Sequence, residues 1–123
     1  MVSVARIKVD FDTVREIALA LPGVEESTAY GSPALKVGGK LLACIPINKS
    51  AEPGSLMVRV DFARRAELLA ESPDVYYVTD HYENYPSVLV RLARIHPDAL
   101  RDLLGMAWQF VTAKKDTAKK RAI

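Results

Sequence analysis

Side chains capable of chemistry are concentrated in one segment, residues 76–86, which holds four of the five tyrosines and one of the two histidines. His81 lies between Asp80 and Glu83 in this segment, and an imidazole that a carboxylate orients can act as a general base. Each tyrosine adds a large apolar ring with a hydroxyl at its edge, a combination that suits recognition surfaces. The segment therefore predicts either a recognition loop or a catalytic loop built on His81.

Other reactive side chains lack the surroundings that their chemistry needs. Cys44 and His81 could form a nucleophile and a base, but Cys44 lies in an apolar run where a thiol is expected to be buried and inert. One histidine with two loop carboxylates has no recognised metal-ligand spacing. The glycines of Gly38-Gly39-Lys40 lack the spacing of a phosphate-binding loop. We therefore predict a non-enzymatic protein without a metal or a cofactor.

Three helices are predicted from apolar residues at helical spacing. The first runs from about Asp12 or Thr13 to Leu21, with Thr13 and Glu16 fitting a capping box. The second follows Asp61, a good N-cap, and ends at Ser72-Pro73. The third has Pro97 at its first position and carries a long apolar stripe.

Apolar runs predict four strands, at residues 35–37, 41–47, 56–60 and 88–94. Gly38-Gly39 supplies a tight hairpin turn between the first two, since such turns need positive φ angles. Strands joined in this way, with helices before and after them, indicate an α+β two-layer sandwich. In this fold class an antiparallel sheet is flanked by N- and C-terminal helices. One face of the sheet packs on the helices and the other stays at least partly open.

Basic side chains alternate with apolar ones along three of these strands. Lys36, Arg59 and Arg91 stand opposite the apolar positions, so we expect them on the open face, where they form a basic stripe if their strands are neighbours. Such residues are also ordinary on any half-buried strand. Clustered lysine and arginine bind phosphates, and tyrosine rings stack on bases. The candidate nucleic-acid contacts are Lys36, Lys40, Arg59, Arg91, Arg94, Tyr82 and Tyr85.

Net charge is unevenly distributed along the chain. The 123 residues carry +2 at pH 7, whereas residues 114–123 carry +4 from five basic and one acidic side chain, which leaves −2 for residues 1–113. A basic tail can contact nucleic acid, but terminal residues are usually solvated and disordered. We predict one domain over residues 1–113 and a disordered basic tail over residues 114–123.

The sequence also predicts a location. It has no apolar run of membrane-spanning length, no signal peptide at its start and only one cysteine, Cys44. These features predict a cytoplasmic protein that does not contact membranes. An exposed strand edge would permit a homodimer, so monomer and homodimer both stay open.

A succession of short motifs extends from about residue 12 to residue 115. The motifs are Leu21-Pro22-Gly23-Val24-Glu25-Glu26, Tyr30-Gly31-Ser32-Pro33, Lys36-Val37-Gly38-Gly39-Lys40, Tyr85-Pro86, Val88-Leu89-Val90-Arg91-Leu92 and Ala107-Trp108. In order and spacing they resemble the MmcQ/YjbR family. The resemblance implies a frataxin-like (CyaY-like) α+β fold and DNA binding through the sheet and its loops, with no agreed catalytic residues and no cofactor. Leu35 and Ser87 depart from the family, whose members often have an aromatic residue at these positions.

We therefore predict a module that binds DNA weakly, in a salt-sensitive way and with little sequence specificity. An alternative is a small-ligand or protein-interaction module, with a pocket under the Tyr/His loop lined by His81, Tyr82 and Tyr85. Catalysis by His81 is the remaining alternative. Tyr76 and Tyr77 are expected to pack in the core.

Overall fold

The computed structural model describes residues 9–113, which contain three α-helices and six β-strands. The helices are α1 (Phe11–Leu19), α2 (Phe62–Glu71) and α3 (Pro97–Thr112). The strands are β1 (Val24–Ala29), β2 (Ser32–Val37), β3 (Lys40–Cys44), β4 (Ser55–Arg59), β5 (Tyr76–Tyr77) and β6 (Ser87–Arg91). A 3-10 turn, Asp80–Tyr82, lies between β5 and β6. The predicted basic tail, residues 114–123, lies outside the described residues.

All six strands form one antiparallel sheet in the order β1-β2-β3-β4-β6-β5. Helices α1 and α3 contact each other and pack on the same face of the sheet, while α2 packs beside β5 and β6. The arrangement confirms the predicted α+β fold, with an antiparallel sheet flanked by an N-terminal and a C-terminal helix.

The main hydrophobic core lies between the helices and one face of the sheet. Alternate residues of two neighbouring interior strands point into it, as their sequence pattern predicts: Leu56 and Val58 from β4, Val88 and Val90 from β6. Helix α3 contributes a fully buried stripe of Leu100, Leu103, Leu104, Ala107 and Val111. Burial of a large aliphatic side chain stabilises the fold by about 1.5–3 kcal/mol. The strands that carry the candidate site are therefore held on a rigid support.

Helix α1 begins earlier than its sequence pattern predicts. Its first residue is Phe11, because the capping box is formed by Asp10 and Thr13 and not by Thr13 and Glu16. The Asp10 carboxylate accepts a hydrogen bond from the Thr13 N–H at 3.1 Å, and the Thr13 hydroxyl accepts one from the Asp10 N–H at 3.3 Å. The other two helices begin where the sequence places them.

The strands differ from the prediction in several places. β2 begins at Ser32, before the predicted residue 35, and β5 lies where no strand is predicted. β1 lacks apolar alternation, since residues 25–28 are polar, yet it pairs with β2 along six residues as an edge strand. β3 ends at Cys44, three residues short of the prediction, because Pro46 has no N–H to donate to the ladder. β6 ends at Arg91, where the chain turns and the Arg94 N–H donates to the Arg91 carbonyl at 2.9 Å.

Candidate nucleic-acid interface

The sheet face turned away from α1 and α3 carries a small apolar cluster made by Ala34, Cys44, Met57 and Leu89. The chain between β5 and β6 folds back over this cluster, so the face is less open than expected. Burial raises the pKa of the Cys44 thiol to about 11, because the thiolate would be removed from water. Cys44 is therefore a protonated packing residue of the cluster at neutral pH.

Two tyrosines of the 76–86 segment cover the cluster, Tyr77 and Tyr82. The Tyr77 hydroxyl accepts a hydrogen bond from the Glu52 N–H at 2.8 Å and shares another with the Ser55 hydroxyl. Burial raises the pKa of Tyr82. Tyr76 points to the opposite face and is buried in the main core. Tyr82 thus covers part of the apolar cluster beneath the loop.

His81 lies on the outer side of the 3-10 turn with its side chain exposed. Its ring meets the Tyr82 ring edge-on, with the ring centroids 4.8 Å apart. Within residues 9–113 no carboxylate lies within 4.0 Å of the imidazole, so neither Asp80 nor Glu83 orients it. In the same part of the chain, no three His, Cys, Asp or Glu side chains gather in a way that could hold a metal ion.

An arginine of α2 fixes the second half of this segment. The Arg65 guanidinium donates hydrogen bonds to the carbonyls of Glu83 at 2.8 Å and of Tyr85 and Ser87 at 3.1 Å each, with a longer one to Tyr82. It also lies over the ring of its helix neighbour Phe62. Sequence reasoning missed Arg65, because its partners are backbone atoms seventeen to twenty-two residues away that no local pattern reveals.

Arg59 and Tyr85 form a stacked pair at the end of β4. The Arg59 guanidinium carbon is 4.8 Å from the Tyr85 ring centroid and 5.3 Å from that of Phe110 in α3. Its Nε donates to the Pro86 carbonyl at 3.1 Å, which fixes the side chain beside the loop. The Tyr85 ring is 39% exposed, so the pair presents an aromatic surface to solvent beside a positive charge.

Two lysines flank the hairpin between β2 and β3. Gly38 and Gly39 have φ angles of 59° and 79°, as the predicted tight turn requires. Lys40 is exposed and Lys36 half-buried. Lys36 lies opposite Glu25 of β1 in the strand register. Among residues 9–113 neither ammonium has a carboxylate within 4.0 Å, so both charges are available to a ligand.

The register brings these residues to one end of the sheet. β3 pairs with β4 at Ala43 and Val58, so Lys40 lies towards the end of β4 that carries Arg59. Lys36 pairs with the residue that follows Lys40. The group is completed by the tyrosine that stacks on Arg59. We call Lys36, Lys40, Arg59 and Tyr85 the strand-end group.

Arg91 lies at the opposite end of the same face. β4 and β6 are neighbours, but Arg59 pairs with Ser87 whereas Arg91 pairs with Ser55, four positions or about 13 Å further along the strands. The Arg91 guanidinium binds both carboxylate oxygens of Glu52, at 2.9 and 2.8 Å. This contact raises the pKa of Arg91 and lowers that of Glu52.

The remaining donor of Arg91 is also occupied. Its Nη1 donates to the carbonyls of Pro73 and Asp74 at 3.2 Å each, and the guanidinium lies 4.4 Å from the Tyr77 ring centroid. Arg91 therefore links the 48–54 connection to strand β6 and to the chain before β5, and these contacts stabilise the fold.

Arg94 is exposed and follows the turn after β6, at the same end of the sheet as Arg91. The seven candidate residues thus fall into three places: the strand-end group, the Arg91–Arg94 end, and Tyr82 on the apolar cluster between them. The described residues 9–113 hold ten basic and fourteen acidic side chains, a net charge of −4. Any basic surface on this body is therefore local.

No helix among residues 9–113 has the length and apolar character that a membrane crossing requires.

Comparison with known sequences gives one family. The model of the YjbR family matches residues 19–110. Two uncharacterised mycobacterial proteins, Rv2570 of Mycobacterium tuberculosis H37Rv and Mb2600 of Mycobacterium bovis, are each 36% identical to the chain over 119 residues. The alignment covers 85% of this chain and 90% of each relative.

A solved structure has the same fold. The Deinococcus radiodurans protein DR2400, described as a DUF419 domain, superposes with a TM-score of 0.71 and covers 94% of this chain and 89% of its own. Its sequence identity of 23% supports likeness of fold alone.

Proposed function

The chain belongs to the YjbR family, and from that premise we propose that it is a non-enzymatic module that binds DNA weakly through the strand-end group. The observation that carries the proposal is the stacked pair of Arg59 and the exposed Tyr85 ring, at the same end of the sheet as two lysines with no carboxylate partner in the described part of the chain. Basic side chains and an exposed aromatic ring are the groups with which proteins bind single-stranded DNA.

Each residue has a separate role in this proposal. An unpaired base stacks on the Tyr85 ring. Arg59 holds this ring in place through its contact with the ring and its hydrogen bond to the Pro86 carbonyl. Lys36 and Lys40 contact the phosphates on either side, and release of the counterions bound there drives the association. Because bases in a duplex are already stacked on each other, we expect a higher affinity for single-stranded than for double-stranded DNA.

The charge of the body limits the affinity. Residues 9–113 carry −4 in total, and Glu25 stands opposite Lys36 in the sheet. Three cations in the strand-end group give a slope of about −2 for log K against log salt on a single strand. Binding is therefore weak, sensitive to salt and nearly independent of sequence.

Fluorescence anisotropy with a labelled oligonucleotide, single-stranded and then duplex, at low and moderate salt, tests the proposal. We expect the full chain to bind the single strand at low salt and the variants Tyr85→Ala and Lys36→Gln/Lys40→Gln to bind it less tightly, by about fivefold or more. Arg64→Gln is the matched control, since Arg64 is an exposed basic residue of α2 that pairs with Glu67 at 3.3 Å.

Absence of binding at low salt would overturn the proposal, as would equal weakening in the Arg64→Gln control. A further variant, with Lys114, Lys115, Lys119, Lys120 and Arg121 all replaced by glutamine, addresses the basic tail. If this variant alone loses binding, the tail and not the strand-end group is the DNA contact.

We further propose that the protein is a cytoplasmic monomer. Its one cysteine is buried and cannot form an internal disulfide, which suits a reducing compartment. The edge strand β1 carries Glu25 and Glu26, and charges on an edge strand oppose edge-to-edge pairing. Cell fractionation tests the location, and light scattering after gel filtration tests the oligomeric state; a dimer mass would contradict the monomer.

A further inference from the structure

A cleft lies at the end of the sheet opposite the strand-end group. It has a volume of about 930 Å³ and is open to solvent. Its walls come from the start of α1, the residue after β3, the start of β4 and the turn after β6. Small-molecule sites in proteins commonly measure about 300–1,000 Å³, so its size is that of a site for a small organic molecule.

The floor of the cleft is apolar. Val9 and Leu92 are buried within it, and Phe11 and Ile45 are half-buried. These four side chains belong to or pack against the main core, so the floor is preformed and does not need to order when a ligand binds. An apolar body of a few carbon atoms would be removed from water here.

Among residues 9–113 the rim carries four charged groups, of which three are occupied. Arg91 and Glu52 bind each other through two hydrogen bonds. The Asp10 carboxylate caps α1 by accepting from the Thr13 N–H. The Arg94 side chain has no hydrogen bond and no ion pair within 4.0 Å among residues 9–113, although its charge helps to lower the pKa of Glu52 after the larger contribution of Arg91.

We propose that this cleft binds a small organic acid, with its carboxylate on the Arg94 guanidinium and its apolar chain or ring against Phe11, Ile45 and Leu92. Arginine is suited to this role, because its planar fork donates two parallel hydrogen bonds to a carboxylate. An apolar floor with one polar group that fixes orientation is the common form of a small-ligand site.

The charges of the rim also determine which anionic group of a ligand is favoured. Among the described residues two carboxylates, Asp10 and Glu52, stand beside two guanidiniums, so their charges sum to zero. A singly charged carboxylate meets one available cation, whereas a phosphate monoester would bring a second negative charge close to the two acids. A single carboxylate on an apolar body is therefore favoured over phosphate.

Titration of the full chain with sodium hexanoate, followed by ¹⁵N–¹H NMR, tests the site. We expect saturable shifts at the amides of residues 45 and 92–94, and none of comparable size with 1-hexanol or with acetate, which each lack one half of the ligand. Arg94→Gln should weaken hexanoate binding by about tenfold, the effect of one charge-assisted contact. Arg101→Gln, an exposed arginine of α3 paired with Asp98, should leave it unchanged.

Three results would overturn the inference. They are absence of saturable binding, equal binding of 1-hexanol, and unchanged affinity in Arg94→Gln. If a peptide with a free C-terminal carboxylate binds at these residues where hexanoate does not, the cleft is a protein-docking site and the small-acid proposal is wrong. Thermal melting of Arg94→Gln shows that the variant is folded, and labelled DNA should still bind in the presence of hexanoate because the strand-end group lies elsewhere.

Discussion

Arginines with identical charge have different partners in this protein, and the partners decide which of them can meet a ligand. Arg65 is bound to loop carbonyls and Arg91 to Glu52 and two carbonyls. Arg59 donates only its Nε and otherwise contacts rings. Arg94 has no partner within hydrogen-bond or ion-pair distance in the described part of the chain. Of these four residues, Arg59 and Arg94 are the ones whose Nη atoms donate no hydrogen bond within residues 9–113.

Arg65 is predicted to stabilise the loop and α2 together. Arg65→Met keeps the aliphatic stem but removes the side-chain hydrogen bonds to the carbonyls of Tyr82, Glu83, Tyr85 and Ser87. We expect a loss of about 1.5–3 kcal/mol in the free energy of unfolding by urea. The preceding residue provides a matched control: Arg64→Met removes only an exposed ion pair with Glu67 and should cost less than about 0.5 kcal/mol. Equal losses would show that the carbonyl contacts contribute nothing.

Cys44 gives a prediction about pH. Its pKa is about 11 in the folded state against an ordinary value of 9.0. Between these values the unfolded chain has released the thiol proton and the folded chain retains it, so the free energy of unfolding falls as pH rises from 9 to 11. In Cys44→Ala the fall should be smaller by about 2–3 kcal/mol. Identical pH profiles of the two proteins would mean that the thiol is more accessible than the structure indicates.

At the level of secondary-structure elements, the link between Arg91 and Glu52 holds the connection before β4. Arg91→Ala removes the hydrogen bonds to the Pro73 and Asp74 carbonyls, worth about 1–2 kcal/mol, and frees residues 48–54 to exchange amide hydrogens faster. Arg94→Gln, at the same end of the sheet, should change neither property. If hydrogen exchange in residues 48–54 is unaffected by Arg91→Ala, the link is not structural.

The same link makes the free energy of unfolding depend on pH in acid solution. The Arg91 hydrogen bond lowers the folded-state pKa of Glu52 below its ordinary 4.5, so the contribution is present above pH 4.5 and is lost as pH falls below it. Glu52→Gln should therefore lose less stability than the wild type between neutral and acid pH. Acid titration of the urea midpoint measures this difference, and parallel curves would contradict it.

Local patterns in the sequence account for much of the fold. The alternation in β4 and β6 and the stripe of α3 gave the correct inward faces, because burial on one side leaves a period of two or 3.6 residues. The paired glycines gave the β2–β3 hairpin and hence the position of Lys40. β1 could not be found this way, since an edge strand exposed to water keeps polar side chains.

The site was only partly predictable for a related reason. Alternation places Arg59 and Arg91 on one face, but their separation along the sheet depends on the register of β4 with β6, which is a contact between distant parts of the chain. The carbonyl partners of Arg65 are likewise remote in sequence. Tyr82 is partly buried because its loop folds back over the sheet, and no local sequence pattern predicts the course of that loop.

Considered as a whole molecule, residues 9–113 carry a net charge of −4, which opposes the approach of nucleic acid. Glu25, which opposes Lys36 in the register, should weaken binding at the strand-end group. Glu25→Gln is therefore expected to raise the affinity for single-stranded DNA at low salt by about two- to fivefold. Glu71→Gln, which removes an exposed carboxylate at the end of α2, should leave the affinity unchanged. Equal gains in both variants would indicate an effect of net charge and not of the strand-end group.

Mapping of the DNA contact by ¹⁵N–¹H NMR tests the central claim most directly. On titration with a short single strand at low salt, we expect the shifted amides to lie in the β2–β3 hairpin, at the end of β4 and in residues 83–87, while residues 91–94 stay unchanged. The shifts should decline together as salt is added. Shifts confined to residues 114–123, or centred on residues 91–94, would contradict the assignment of DNA binding to the strand-end group.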